Sequence, residues 1–468
     1  MTTIAPRPGW ADLFAEGRGP RLALICLGVW LNAADSLVTT TIMPTVARDL
    51  GGYALFSWAT AGYMVGSILS AATAARLSAQ FGLRAAMIFA GLVTALGCAI
   101  SAVAPDMVWL IAGRVVQGMG SGWIVGACYA AIGAMFPERH LARVFGLMTG
   151  MWGVATILGP LVGGLFADGG LWRDLFWAFA VQGLIFVGAA AALLGPTPRA
   201  VPTPVPWAQL GVVIAGVALI AMADLATRPL WSGLLCVGSL AMFVIAARWK
   251  ARGGPGLFPS QAGQPGSVVG AGYLAFFCLT AASIGFSVYG PALLQKLYGL
   301  SPLAAGYAAG LEALGWTVAA LAVAGLSDRW HGLIIGLGAG AIVLSIALLG
   351  LVMRVGPIVA ILAVSALMGS GFGLAYGFIS RRILAAAPAG ERELASAGIP
   401  NVRLVGNGAG ACLAGIIANL LGLAGGVTEA AAQASAVWLF VSVVPLAAIG
   451  AVFAWRVAGA RIPPAALA

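Results

Sequence analysis

Trp30-Leu31-Asn32-Ala33-Ala34-Asp35-Ser36-Leu37-Val38-Thr39-Thr40-Thr41-Ile42-Met43-Pro44 lies inside an apolar run that extends from about residue 22 to residue 46. A helix needs about 20 such residues to cross the hydrocarbon of a bilayer, so this run is a spanning segment. Asp35 falls near its middle. A carboxylate at that depth costs roughly 2.5–3.5 kcal/mol on insertion scales, so it must face a bundle interior or a wet cavity rather than lipid. Asn32, Ser36 and Thr39 lie on or beside the same helical face, which makes that face polar. Two readings fit the pattern. Asp35 is either a protonated side chain hydrogen-bonded to a neighbouring helix, or a proton- or cation-binding site on a transport path.

The rest of the chain carries the same message. Of its 468 residues 61% are hydrophobic and 8% charged, with a mean hydropathy of +1.01. Soluble proteins carry about 25% charged residues. No water-soluble fold hides this much apolar surface, so the fold class is an all-α integral membrane protein. The 67 glycines suit helices that approach closely, since packing replaces the hydrophobic effect inside lipid. The net charge of +10 is not a nucleic-acid signal, because the basic residues sit in short loops where they set topology. The first 21 residues mix Arg7, Asp12, Glu16, Arg18 and Arg21 and lack a cleavage pattern, so Leu22 opens a true span. Cys26, Cys98, Cys128, Cys236, Cys278 and Cys412 all fall in apolar segments without metal-ligand spacing; neither disulfides nor a metal site are expected.

Apolar segments begin near Leu22, Phe56, Ala85, Val108, Val144 and Leu175. The run Pro196-Thr197-Pro198-Arg199-Ala200-Val201-Pro202-Thr203-Pro204-Val205-Pro206 cannot continue a helix and marks a linker. Two segments follow at about residues 210–223 and 230–247, the first of them short, and then a polar break over residues 248–266. Six more begin near Val268, Leu303, Leu333, Ile358, Ile399 and Ala434. The expected organisation is a six-helix unit (1–198), a linker with two additional transmembrane helices (199–266) and a second six-helix unit (267–468). With the N-terminus in the cytoplasm, seventeen of the 24 Lys and Arg fall on the cytoplasmic side; only Arg48, Arg173, Arg228, Lys296 and Arg354 fall outside. Both termini are then cytoplasmic. Omitting both middle helices would preserve the bias, so their apolar lengths argue for keeping them.

Four further patterns carry chemistry. In Leu110-Ile111-Ala112-Gly113-Arg114-Val115-Val116-Gln117-Gly118-Met119-Gly120-Ser121, the residues Arg114, Gln117, Gly118 and Ser121 form one polar stripe. An Arg cannot shed its charge and needs an acceptor, either Asp35 at similar depth or backbone carbonyls. In Gly153-Val154-Ala155-Thr156-Ile157-Leu158-Gly159-Pro160-Leu161-Val162-Gly163-Gly164, the small residues Ala155, Gly159 and Gly163 share a face, and Pro160 removes a backbone hydrogen bond and bends the helix. Glu312 is a second acid at membrane depth, with Trp316 one turn on. A carboxylate beside an indole suits a lipophilic cation; a protonated Glu packed between helices is the plainer reading. Tyr63, Trp123, Trp152, Tyr273, Phe276, Tyr376 and Asn407, with Asn32, are candidates to line a cavity or simply to pack. His140 and His331 have no acid/base partner pattern, and no phosphate-binding loop for ATP appears.

These motifs resemble the major facilitator superfamily, specifically its fourteen-helix drug:proton antiporter family. The run from Asp35 to Pro44 resembles the family's first-helix motif, Leu110 to Gly120 its fourth-helix Arg motif, and Gly153 to Gly164 its fifth-helix antiporter motif. Softer echoes are Leu171-Trp172-Arg173-Asp174-Leu175-Phe176, Leu300-Ser301-Pro302-Leu303-Ala304-Ala305-Gly306 and Arg403-Leu404-Val405-Gly406-Asn407-Gly408-Ala409-Gly410. The resemblance implies two six-helix domains around a central cavity that opens alternately to each side. The family's loop between helices two and three reads Gly-x-Leu-x-Asp-Arg-x-Gly-Arg. Here Arg76-Leu77-Ser78-Ala79-Gln80-Phe81-Gly82-Leu83-Arg84 stands in that place, with Ala79 and Gln80 for the Asp-Arg pair, whereas the second half keeps Gly325-Leu326-Ser327-Asp328-Arg329. The charge lock is therefore expected mainly in the second half.

The expectation is a monomeric secondary transporter of the cytoplasmic (inner) membrane, not an enzyme. It would export small amphipathic or cationic compounds against proton entry, with no cofactor and no nucleic-acid partner. Asp35 would carry the proton, Arg114 tune it, and Glu312 recognise a cation or couple a second proton. An exporter of a lipid or native metabolite, or a non-transporting receptor or scaffold, is the alternative.

Overall fold

Helices long and apolar enough to cross a membrane number 14 in a computed structural model that describes residue 14 and residues 17–195, 204–226, 228–249, 256–388 and 390–460. Residues 1–13, 196–203, 250–255 and 461–468 are outside this range, so the expectations that rest on Arg7, Asp12, Arg199, Lys250, Arg252 and Arg461, and on most of the Pro-rich run with its boundary at 198, lie outside the described residues. Glu16 does as well.

The first six spans are α1 (Arg18–Leu50), α2 (Trp58–Phe81), α3 (Leu83–Ala102), α4 (Met107–Met135), α5 (Glu138–Asp168) and α6 (Trp172–Leu193). The middle pair is α7 (Trp207–Leu225) and α8 (Pro229–Arg248). The last six are α9 (Val268–Tyr298), α10 (Pro302–Val323), α11 (Asp328–Val355), α12 (Ile358–Ala386), α13 (Arg392–Leu420) and a final span broken near Ser442 into α14 (Glu429–Val441) and α15 (Val444–Gly459). Within hydrocarbon a backbone must satisfy its own hydrogen bonds, which leaves the helix as the only option for these apolar runs. The short α7 has 19 residues, about 28 Å of helix at 1.5 Å per residue, which matches a bilayer core of about 30 Å.

Local chemistry sets the ends. Gly299 closes α9 at φ 63°, and Ser301 opens α10 by accepting a hydrogen bond from the Ala304 N–H with Pro302 at the first helical position. This is a left-handed stop followed at once by a capped start.

Two corresponding helix pairs, one in each half, pack closely. α2 packs on α4 where a Cβ at Gly118 would collide with the Tyr63 carbonyl. α10 packs on α12 where a Cβ at Gly369 would collide with the Glu312 carbonyl. In both halves a glycine lets backbone meet backbone next to a candidate site residue. α7 and α8 form a hairpin tied by Ser239 Oγ to the Gly216 carbonyl at 2.7 Å and by Gln209 Nε2 to the Ala246 carbonyl at 2.7 Å. α7 then lies against α2 and α13, whereas α8 is mostly exposed to the lipid phase.

The first and last six helices touch chiefly where α1 ends and α2 begins, which we term the far end. There α5 reaches α10 through Gly164 and Leu303, Phe56 stacks on Tyr289 with centroids 5.1 Å apart, and Asn419 donates to the Ala54 carbonyl at 3.0 Å.

Candidate functional site

The polar face of α1 and the polar stripe of α4 meet. Arg114 Nη1 donates to both carboxylate oxygens of Asp35, at 2.7 and 2.9 Å, and to Gln117 Oε1 at 3.0 Å. Gln117 Nε2 donates to Asp35 Oδ1 at 2.7 Å, and Thr39 Oγ1 lies 3.4 Å from the same oxygen. Arg114 Nε reaches the Ala59 carbonyl at 3.4 Å. Asp35 and Arg114 are each 2% exposed. A dry ion pair is tolerated only when its remaining donors and acceptors are also satisfied, and here Gln117 and Ala59 do that. Of the two acceptors weighed for Arg114, the carboxylate takes the short bonds and a backbone carbonyl the long one.

Next to it stands a second knot. Asn32 Nδ2 donates to Tyr63 Oη at 3.0 Å and to Ser121 Oγ at 2.8 Å, and Tyr63 Oη lies 2.8 Å from Ser121 Oγ. The Tyr63 ring lies under the Arg114 guanidinium, 4.5 Å from its centroid. Asp35, Gln117 and Ser121 also line a small cavity of about 10 Å³ with Leu31, Thr94, Cys98 and Phe179. That space is the size of one water and has the polar partners a water needs.

Between the halves lies a larger cavity of about 180 Å³. Its first-half wall includes Ser36, Thr39, Thr40, Tyr63, Met64 and Arg114; its second-half wall includes Ser287, Glu312, Trp316, Phe372, Arg403 and Asn407. Pockets for drug-sized ligands measure roughly 300–1,000 Å³, so this cavity is smaller than most of them. Arg114 belongs to its wall, and Asp35 lies behind it on the small cavity. Glu312 accepts a hydrogen bond from Ser287 Oγ at 2.9 Å.

The indole one turn from Glu312 is not free for a substrate cation in this state. Trp316 stacks on Phe372 with centroids 5.2 Å apart and planes 6° apart, and the Arg403 guanidinium stands 4.8 Å from the indole centroid and 4.9 Å from that of Tyr376. The expected lipophilic cation is matched here by a cation of the protein itself. Arg403 sits at membrane depth in α13, where the depth criterion that singles out Asp35 also applies.

The other aromatic candidates are dispersed. Trp123 Nε1 donates to Thr73 Oγ1 at 2.8 Å and its ring packs on Phe89. Trp152 is 41% exposed on α5. Tyr273 Oη donates to the Ala395 carbonyl at 2.9 Å, and Phe276 packs on Tyr376 at 5.0 Å. Among the described residues, the 180 Å³ cavity is not lined by Asn32, Trp123, Trp152, Tyr273, Phe276 or Tyr376. Amphipathic residues on many helix faces give no sequence signal for which one points inward.

The glycine-rich α5 lies against α1 at Gly159, which meets Leu37, and at Gly163, which meets Val38 and Thr41. Gly164 meets Leu303, and Pro160 sits beside Gly306 and Gly310 of α10. Gly153 is different: a Cβ there would meet open space. In the loop motifs, Asp328 pairs with Arg381 at 3.3 Å and lies 3.5 Å from His331 Nδ1, all within the second half. Arg329 lies over the Trp330 ring at 5.6 Å, and Arg84 is half-buried in the first turn of α3.

A third buried acid has no counterpart among the candidates. Asp224, at the end of α7, is 4% exposed; its Oδ2 accepts from Ser57 Oγ at 2.6 Å and its Oδ1 from Asn419 Nδ2 at 2.8 Å. It joins α2 of the first half to α13 of the second. At the end of a short span it reads in sequence as an interfacial residue.

A sequence profile of the Major Facilitator Superfamily matches residues 25–399. A "Probable multidrug-efflux transporter" of Mycobacterium tuberculosis (strain ATCC 25618 / H37Rv) is 32% identical over 483 residues, covering 97% of this chain and 98% of that relative. "Multidrug resistance protein 3" of Bacillus subtilis (strain 168) is 29% identical over 153 residues, 33% of this chain and 30% of that protein. Among solved structures, an inward-facing, unoccupied bacterial homologue of the human lysosomal transporter Spinster aligns with a TM-score of 0.67 at 15% identity, covering 93% of this chain and 96% of that one. A D-xylose-proton symporter aligns at 0.64 and 16% identity, covering 93% and 97%. A profile match over most of the chain, a relative aligned end to end and a shared fold agree: the chain belongs to the Major Facilitator Superfamily and is a multi-pass membrane transporter.

Proposed function

We propose that this transporter is a proton-coupled antiporter that exports amphipathic or cationic drug-like compounds from the cytoplasm by alternating access. The observation that carries the reading is the buried Asp35–Arg114 pair, whose cation forms part of the central cavity wall while its carboxylate lies one layer behind. With Asp35 ionised the pair is neutral. When Asp35 takes a proton, Arg114 is left as an uncompensated positive charge on the wall. A cationic substrate then meets repulsion, so proton and cation exclude one another, which is the requirement for exchange. Glu312, in the opposite half, supplies the carboxylate that attracts a cationic group. No cofactor enters, because the proton gradient supplies the driving force.

On this reading residues 1–198 and 267–468 rock about the cavity, with residues 199–266 between them, and a single chain suffices. Contact of the halves at the far end corresponds to closure toward the outside of a cytoplasmic membrane with both chain termini inside. The end-to-end multidrug-efflux relative supports the substrate class. The test is substrate-dependent proton flux with the purified protein in liposomes. An imposed pH gradient should drive uphill accumulation of an organic cation, and the cation should in turn move protons. Transport that ignores the pH gradient would reduce the protein to a facilitator.

A further inference from the structure

Arg403 makes no direct ion pair among the described residues, although Glu312 shares its cavity. Its guanidinium faces the Trp316 and Tyr376 rings at 4.8 and 4.9 Å, and it lines the central cavity. Its buried Nε has no hydrogen-bond partner. Arg403 takes no part in the ion pairs that join Arg48 to Asp49, Arg114 to Asp35, and Asp328 to His331 and Arg381. Glu312 shares the cavity, but its hydrogen bond comes from Ser287. Aromatic rings engage the face of a guanidinium, and its donors lie along the edge, in the plane. The two ring contacts therefore hold Arg403 without using its Nε donor. An edge of this kind matches a carboxylate, sulfonate or phosphate through two parallel N–H···O bonds. Arg114 also lines the cavity, but its Nη1 and Nε are spent on Asp35, Gln117 and Ala59.

We propose that Arg403 is the subsite for an acidic group on the substrate, so that the preferred cargo is a flat amphipath bearing both an anionic and a cationic group. Glu312 takes the cationic end, and Trp316 with Phe372 forms the apolar platform beside it. This rests on reading the cavity as the substrate path. It changes the expected cargo from lipophilic cations in general to zwitterions. A zwitterion brings no net charge into a cavity whose own charges already balance, and each of its ends meets its opposite.

Three compounds on one aromatic scaffold test it: an amine, the same amine with a carboxylate added, and the methyl ester of that acid. Binding to the purified full-length protein is measured at one pH, together with uphill export in liposomes. Hydrogen bonds to charged groups predict that the wild type binds the acid about 10- to 100-fold more tightly than its ester. Arg403→Gln should erase that ratio while ester affinity holds or rises, because a positive charge leaves the cavity wall, and Arg403→Lys should restore part of the ratio. If the glutamine variant does not fold, the wild-type ratio and the lysine variant still decide. Equal binding of acid and ester by the wild type overturns the proposal, as does an equal loss of both in Arg403→Gln, which would mean packing. Uphill export of the amine with exclusion of the acid also overturns it and leaves the antiport reading standing; export of none of the three overturns both.

Discussion

Asp35→Asn separates charge from shape at the centre of the site. The amide keeps an oxygen to accept from Arg114 and Gln117 but carries no charge and exchanges no proton. Arg114, 2% exposed, is then left in the protein interior without its counter-ion. Removing one partner of a buried pair costs about 3–5 kcal/mol, and the retained acceptor places this variant at the low end, about 3 kcal/mol. The functional effect is separate. A cation in the cavity about 8 Å from the bared Arg114 experiences a repulsion of about 2 kcal/mol at an effective dielectric of about 20. That weakens its binding about 30-fold. The double variant Asp35→Asn with Arg114→Gln removes both charges; cation affinity should return to within about threefold of wild type, and uphill export should stay absent. The assays are equilibrium binding of a quaternary ammonium probe and gradient-driven export in liposomes. Undiminished uphill export by Asp35→Asn would remove this residue from coupling. A double variant that binds as weakly as the single one would show that bared positive charge is not the cause.

Gly118→Val should destabilise the α2–α4 contact, because its side chain would enter the Tyr63 carbonyl; a loss of about 1–3 kcal/mol is expected, read as a lower thermal midpoint in detergent. Asp224→Ala should cost about 1–3 kcal/mol by leaving Ser57 without its acceptor and removing one of those of Asn419, and an unchanged midpoint would show that the Asp224 side chain adds no stability at the far end. Single cysteines at positions 199 and 252 should react with impermeant reagent only from the cytoplasm, and one at 228 only from outside; labelling of 228 from the cytoplasm would refute the membrane-crossing α7–α8 hairpin.

What the sequence made legible follows from what kind of signal each feature leaves. Hydrocarbon forces apolar runs of bilayer length, so the spans stand out by length and composition alone. A polar stripe at i, i+3, i+4 and i+7 fixes a helix face, and two buried opposite charges at one depth have few alternatives to each other. That is why Asp35 stood beside backbone carbonyls as a candidate acceptor for Arg114, and in the structure the two bond at 2.7 Å. The aromatic candidates had depth but no such constraint. Trp123, Tyr273 and Phe276 turn into the packing of their own neighbourhoods, because an aromatic ring is equally suited to a core and to a cavity.

Arg403 and Asp224 show a subtler limit. Each is a charge within or at the end of a span, so depth alone marks both. Their meaning depends on what other helices bring to them. Trp316 and Tyr376 converge on Arg403 from α10 and α12, whereas Ser57 and Asn419 converge on Asp224 from α2 and α13. The first charge is held by ring faces on the wall of the central cavity, with its Nε buried and unpartnered; the second is held by two short hydrogen bonds where the halves touch. A motion that parts the halves at the far end must therefore break the bonds to Asp224, while the stacked Arg403 moves with its own half. The same sequence signal, a charge in a span, thus marks a contact that resists opening in one place and a surface prepared for a ligand in the other, and only the neighbouring helices distinguish them.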